Sequence, residues 1–223
     1  MKVKLVSYSQ SDLADPILNA AMNTQDLIAF CARVSNPANQ FNKETSEKLI
    51  RYLIKHQHWS PLEMVSACLE IETTRDIARQ MLRHRSFSFQ EFSQRYADPT
   101  QDLDFVVREA RLQDQKNRQN SITTDDIELQ TWWQAKQEDI IDQVREVYRE
   151  AIERGIAKEQ ARAILPEGNT VSRLYMNGTL RSWIHFIELR SANGTQSEHQ
   201  EVARACAHVI ARIFPMANEF ISE

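Results

Sequence analysis

An α+β fold is predicted for this chain, with a mixed or antiparallel central sheet flanked by helices and a long helical segment. Three observations predict it. Strand-like and helix-like stretches follow one another irregularly, which argues against a doubly wound parallel sheet. "MVSACLEIETT" places Val65, Ala67, Leu69 and Ile71 on one face and Ser66, Glu70 and Glu72 on the other, the pattern of a half-buried antiparallel strand. From about Thr124 to Arg154, Ile127, Trp132, Ile140, Ile141, Val144 and Tyr148 recur at helical spacing.

The other elements follow in order. "VKLVSYS" alternates as an opening strand. "TQDLIAFCARVS" reads as a short helix with Thr24 as N-cap. "NKETSEKLIRYLIKHQ" is a second helix, capped by Asn42 or Thr45, with an apolar stripe of Leu49, Ile50, Leu53 and Ile54. "HWSP" ends it, because proline disfavours helical geometry in the residue before it. "TTRDIARQMLRHR" is a helix begun by Thr74 that buries Ile77, Met81 and Leu82. The polar stretch from Asp98 to Asn120 carries a short strand at 105–107 and then a mobile or excursive segment. "AKEQARAILP" is a short helix, "TVSRLYMNG" a strand, and "TLRSWIHFIELRS" and "SEHQEVARACAHVIARIF" two further helices, the last opened by a Ser197/Gln200 capping box.

Composition bounds the function. With 223 residues, 42% hydrophobic and 26% charged, the chain can bury a core, and residues 1–223 read as a single domain. A net charge of −4 gives the whole molecule no electrostatic reason to bind nucleic acid. No apolar run approaches the ~20 residues of a membrane helix. Cys31, Cys68 and Cys206 lie far apart without CxxC spacing, as expected of reduced thiols in a cytoplasmic protein. The four glycines cannot form a GxGxxG or Walker loop, so any nucleotide must be gripped by side chains. His56 and His58, with no acidic or cysteine partner nearby, do not make a metal site.

"RHRSFSFQEFSQRY", Arg83 to Tyr96, stands out in this acidic chain. Between Arg75 and Arg95 lie five arginines, opposed only by Asp76 and Glu91, and no lysine. Arginine is the side chain for a planar, bidentate grip on phosphate or carboxylate. Arg75, Arg79 and Arg83 share one helical face, where like charges oppose the helix unless a carboxylate or a bound anion sits among them. Salt bridges to Glu70 or Glu72, or to another subunit, are one explanation. An anion site is the other. The hydroxyls, amide and carboxylate that follow suit a nucleotide or dinucleotide better than a nucleic-acid backbone. Downstream, Arg181, His185 and Glu188 fall on one face of a predicted helix that ends at Arg190, while Leu180, Ile184 and Ile187 form its apolar stripe.

Arg83-His84-Arg85, seven residues, Ser93 and then Arg95 resembles the signature of the flavin-dependent thymidylate synthases. "HWSPLE", "RDIARQMLRHR", "ARAILP" and "NGTLRSWIHFIELR" are similar to that family too, so the resemblance runs from about Asp26 to Phe214. It implies an enzyme that converts dUMP to dTMP, with methylenetetrahydrofolate as carbon donor, FAD as cofactor and NADPH as reductant. It implies a homotetramer with active sites at subunit interfaces. Carried over by position, FAD is expected at His58, Ser60, Arg83, His84, Arg85, Glu91, Thr179, Leu180, Arg181 and His185. The substrate dUMP is expected at Gln80, Met81, Leu82, Arg83, Glu91, Phe92, Ser93, Gln94, Arg95, Arg162 and Arg190. Arg190 is expected to be catalytic, by stabilising negative charge on the uracil ring. Three positions depart from the family pattern. Gln90 stands where asparagine is common, Met64 where histidine often follows, and the spacing around 177–179 is one residue longer than in some members. No cysteine sits in a basic, exposed context, and Ser93 has no evident base, so no protein nucleophile is expected. The alternative is a nucleotide- or RNA-binding module using the same arginines and aromatics. A blander reading is an oligomeric scaffold whose arginines only form salt bridges.

Overall fold

A computed structural model describes residues 1–13 and 22–222. Six strands and eight α-helices are found among them: β1 (Lys2–Tyr8), α1 (Thr24–Ala32), α2 (Ser46–Lys55), β2 (Ser66–Thr74), α3 (Arg75–Met81), β3 (Ser88–Glu91), α4 (Pro99–Asp102), β4 (Arg111–Gln113), β5 (Ser121–Thr123), α5 (Ile127–Glu153), α6 (Lys158–Ala161), β6 (Val171–Thr179), α7 (Leu180–Ser191) and α8 (Ser197–Ile210). The α+β expectation holds, and every strand pair is antiparallel, in the order β1-β2-β6-β3 with β4-β5 as a separate hairpin.

The alternation of β2 sorts its side chains as the sequence foretells. Ala67, Leu69 and Ile71 are fully buried beneath α7 and α8. Glu70 and Glu72 face outward into a cross-strand charge ladder. Glu72 bonds Arg173 at 2.6 Å and Lys2 at 3.3 Å, and Glu70 accepts from Lys4 at 3.1 Å and Tyr175 at 3.0 Å. Each pair sits directly opposite in register, the arrangement in which opposite charges favour pairing. These two carboxylates are therefore taken by sheet neighbours and not by the arginine face of α3, as one explanation of that face required.

Most helix starts lie close to expectation, but the capping residues differ. Asn23, not Thr24, caps α1 by accepting from the Asp26 N–H at 2.9 Å. Thr45 precedes α2 but accepts from Arg33 instead, at 2.8 Å. Thr74 donates to Asp76 at 2.6 Å and accepts from Arg108 at 2.7 Å, so it does not cap α3. Asp126 caps α5. The Ser197/Gln200 capping box does not form, because Gln200 turns back to the Thr195 carbonyl at 2.8 Å. Thr45 and Thr74 each have a better-placed tertiary partner than their own helix, Arg33 and Arg108.

Two larger differences concern the middle of the chain. Residues 105–107 make one isolated bridge, Phe105 to Thr170, and not a strand. The Val106 N–H goes to the Asn169 carbonyl, and the backbone groups of the following Arg108 go to the amide of Gln137 on α5. The polar segment then folds as the β4-β5 hairpin, its turn held by the Asp114 carboxylate accepting from the N–H groups of Lys116 and Asn117. Helix α5 has 27 residues, about 40 Å of rise. Only part of that length is covered. Tyr148 packs with Leu165 and Phe105, and Ile141 is buried, while Ile127, Trp132 and Ile140 are exposed, contrary to a single buried stripe.

The site is positioned by β6 running into α7. At Gly178 a Cβ would lie 2.4 Å from the ring of Phe87. That ring is pinned edge-on against Trp183, with centroids 4.8 Å apart. Gly178→Ala should destabilise the fold by about 1–3 kcal/mol, the usual cost of overpacking, seen as a lower urea midpoint with an unchanged m-value.

Candidate active site

The strand-to-helix and helix-to-strand junctions meet at one place. Helix α3 ends at Met81, and the chain turns through Arg83-His84-Arg85 to join β3 on β6. His84 is drawn inward by its bond to the Met81 carbonyl at 2.9 Å, and its ring packs edge-on to Phe186 at 5.1 Å. Helix α7 begins at Leu180 with Thr179 as a true N-cap, accepting from the Ser182 N–H, and delivers Arg190 as its penultimate residue. Arg190 Nε donates to His84 Nε2 at 2.8 Å. His84 must then be the neutral tautomer protonated on Nδ1. Burial, then Arg190, His185 and Arg83, lowers its pKa to about 4, so it remains neutral at pH 7. Burial and the nearby Arg83 also lower the Arg190 pKa.

The arginines divide into two sets. Buried Arg75 reaches Glu91 at 3.6 Å and Glu167 at 3.7 Å, and Arg79 reaches Glu167 at 3.3 Å. Arg95 reaches Glu159 at 3.6 Å, and Arg181 pairs with Glu63. Arg83, Arg85 and Arg190 have no carboxylate partner among the described residues. Arg83 and Arg190, close enough to the neutral His84 to lower its pKa, and the adjacent Arg85, none of them paired with a carboxylate, make an electropositive site.

The structure places the other expected ligand residues unevenly. His185 lies close enough to His84 to lower its pKa. Together with Trp59, Glu63, Ser86, Arg181 and Glu188 it lines a cleft of about 420 Å³. The sharing of one helical face by Arg181, His185 and Glu188 is thus realised, and burial raises the Glu188 pKa. His58 and Ser60 are exposed on the connection leading into this cleft. Met81 and Leu180 are fully buried, so only their backbone could meet a ligand, and Leu82 is half-buried at the end of α3. Glu91 accepts from Ser172 Oγ at 2.8 Å besides pairing with Arg75. Phe92 follows, its N–H bonded to the Arg173 carbonyl. Gln94 is buried with its Nε2 unpartnered among the described residues.

Ser93, Arg95 and Arg162 form a second group beside α6. Lys158 donates to the Tyr96 carbonyl at 2.9 Å, and Arg162 Nε to the Glu159 carbonyl at 3.3 Å. Among the described residues no hydrogen bond or ion pair joins this group to Arg190 or Gln80. Two larger clefts, about 740 and 600 Å³, contain none of the expected ligand residues. No group of three or more His, Cys, Asp or Glu is placed to hold a metal ion among the described residues.

Sequence reasoning missed His199, Gln196, Glu198 and Arg111. His199 is fully buried, bonds Gln80 at 3.2 Å and has a pKa lowered to about 3 by burial, then by Arg190 and His84. A signal existed, since His199 stands at i−3, i−4 and i−7 from Val202, Ala203 and Cys206 on the apolar stripe of α8.

A family model described as thymidylate synthase complementing protein matches residues 17–216. A probable flavin-dependent thymidylate synthase of Paramecium bursaria Chlorella virus 1 is 48% identical over 215 residues, spanning 96% of each chain. A flavin-dependent thymidylate synthase of Synechocystis is 46% identical with the same coverage. Among solved structures, the UMP/dUMP methylase PolB from Streptomyces cacaoi bound with 5-Br dUMP superposes with a TM-score of 0.77 at 26% identity. The match covers 98% of this chain and 93% of that one.

Proposed function

The chain belongs to the flavin-dependent thymidylate synthase family, and on that premise we propose that it methylates dUMP to dTMP at the Arg83–His84–Arg190 site. One observation carries the proposal: Arg83, Arg85 and Arg190 lack internal carboxylates where the other α3-region arginines have them. Such guanidiniums suit the phosphate of a nucleotide and the diphosphate of FAD. The donor set therefore fits the flavin. When bound, FAD supplies the reducing equivalents; methylenetetrahydrofolate is the proposed carbon donor and NADPH the proposed reductant.

The roles of the chain's own residues follow from where they sit. We assign Arg83, His84, Arg85, Glu91, His58, Ser60, Thr179, Leu180, Arg181 and His185 to FAD. We assign Gln80, Met81, Leu82, Arg83, Glu91 to Arg95, Arg162 and Arg190 to dUMP. His84, neutral and accepting from Arg190 Nε, fixes the plane of the guanidinium while its other donors remain free. A guanidinium so held at the uracil edge stabilises negative charge as it develops on the ring, and makes carbon 5 nucleophilic.

Arg95 and Arg162, which no described hydrogen bond or ion pair joins to Arg190, support a homotetramer in which two subunits complete each site. The exposed Ile127, Trp132 and Ile140 on α5 support burial against another copy. A core cluster running from Ile28 to Ala217 supports residues 1–223 as one catalytic domain. No described helix is long and apolar enough to cross a membrane. We place the enzyme in the cytoplasm, acting on small molecules and not on nucleic acid.

Purified protein should take up FAD and show flavin absorbance, and dUMP should perturb that spectrum. Protein that neither takes up flavin nor binds dUMP contradicts the proposal. Chemistry should proceed without a protein adduct. Ser93 accepts only from the Arg95 N–H at 3.4 Å, and no histidine or lysine bonds it among the described residues. Burial raises the pKa of Cys31, Cys68 and Cys206, leaving no thiolate nucleophile. Ser93→Ala should raise KM for dUMP about tenfold through one lost hydrogen bond to an anion. Intact mass during turnover should show unmodified protein; a Ser93–nucleotide adduct would contradict this.

A further inference from the structure

Gln80, at the end of α3, is the second member of a chain of five hydrogen-bonded side chains that runs from His199 to Arg111. His199 Nδ1 lies 3.2 Å from Gln80 Oε1. Gln80 Nε2 donates to Gln196 Oε1 at 2.9 Å, and Gln196 Nε2 donates to Glu198 Oε2 at 3.0 Å. The other oxygen of Glu198 receives the Arg111 guanidinium. Gln196 occupies the N-cap position of α8 without capping it, because its amide is used in this chain.

The direction of every bond is set from one end. An ionised carboxylate can only accept. Glu198 is held ionised: burial raises its pKa, but its own backbone N–H, Arg108, Arg111 and Gln196 together lower it. Gln196 must therefore turn its NH₂ toward Glu198 and its oxygen toward Gln80. Gln80 must then present its NH₂ to Gln196 and its oxygen to His199. His199 must donate from Nδ1, which agrees with its buried, unpartnered Nε2 being the neutral acceptor nitrogen. Reversing Gln80 would set two acceptors face to face at some point in the chain.

Half-buried Gln80 keeps one N–H and one lone pair for a ligand. A uracil edge offers N3–H as donor and a carbonyl as acceptor. A cytosine edge offers N3 as acceptor and an amino group as donor, the opposite sense. A glutamine free to turn would satisfy either base; one held in a single sense satisfies one. We propose that Arg111, Glu198 and Gln196 act as positioning residues that hold the Gln80 amide in one sense and thereby set a preference for a uracil over a cytosine nucleotide. This rests on the reading that Gln80 meets dUMP, and takes the contact to be with the base.

The test uses the flavin-loaded enzyme and the dissociation constants of dUMP and dCMP, with kcat and KM for dUMP. Glu198→Gln substitutes a side chain that can donate or accept, and Gln196→Met breaks the chain in its middle. Each should narrow the dUMP-over-dCMP preference by about tenfold, raising KM more than it lowers kcat. A general loosening of the site would weaken both nucleotides together and leave the ratio as it was; that outcome overturns the proposal. A ratio within twofold of the parent in both variants, while Gln80→Ala abolishes discrimination, also overturns the relay and spares the Gln80 contact. If Gln80→Ala leaves dUMP affinity unchanged, the contact itself fails and the relay with it.

Discussion

Arg190→Ala is expected to lower kcat by about 10²–10³, the range found when one preorganised donor to a developing anion is removed. The fold should hardly notice. Arg190 is a half-buried cation without a carboxylate, and Arg83 lies near enough to lower its pKa. The substitution removes a charge that the folded chain does not neutralise. It leaves the buried His84 Nε2 without its donor, which costs about 1–3 kcal/mol, and removal of the unneutralised charge beside Arg83 offsets this, so the net change in stability should be about 1 kcal/mol. Arg190→Lys should not restore turnover, since a point charge cannot donate to His84 from one nitrogen and keep a planar fork for the ring. Steady-state kinetics and thermal melts on the same samples decide the matter. Loss of melting temperature with retained turnover would favour the scaffold reading, in which these arginines only hold the fold.

Trp183→Ala should act in the opposite way. Trp183 is fully buried on α7. Its indole N–H donates to the Ala67 carbonyl on β2 at 3.0 Å. Its ring meets Phe87 and Phe186 edge-on, at 4.8 and 5.9 Å. Truncation leaves a large cavity and a weakened tie between helix and sheet, at a cost of about 3–5 kcal/mol. That is a large share of the 5–15 kcal/mol typical of a domain. Since Phe87 and Phe186 also pack against His84, the protein that remains folded should bind flavin more weakly. A urea melt with flavin titration measures both effects, and a midpoint close to the parent's would contradict this account of the core.

What could be read from the sequence was whatever a local period encodes. The alternation of β2 and the stripe of Leu180, Ile184 and Ile187 both appear in the structure as written. So does the common face of Arg181, His185 and Glu188. The arginine run around His84 pointed to an anion site, and the structure leaves three of its guanidiniums, counting Arg190, without carboxylates. The caps of α2 and α3 failed because Thr45 and Thr74 bond across the tertiary structure, which no local pattern records, and the capping box because Gln200 turns to the nearby Thr195 carbonyl. The carboxylates that meet the arginine face of α3 could not be read for the same reason: Glu167 lies far along the chain, and Glu70 and Glu72 are claimed by strand neighbours fixed only by register. The stripe of α5 was overextended because helical spacing shows which residues share a face but not how much of that face is covered. The relay to Gln80 was invisible because it joins α3 to α8 and to the β4-β5 hairpin through side chains of ordinary polarity.

The central claim is that the unpaired arginines around His84 and Arg190 belong to a flavin-dependent site that methylates dUMP. The most direct measurement is product analysis by mass spectrometry, with FAD-loaded protein, dUMP, methylenetetrahydrofolate and NADPH, against the same mixture without flavin. Formation of dTMP that requires the flavin and is lost in Arg190→Ala is the predicted result. Flavin-loaded, dUMP-bound protein that forms no dTMP, or dTMP formed equally by Arg190→Ala, would contradict the account.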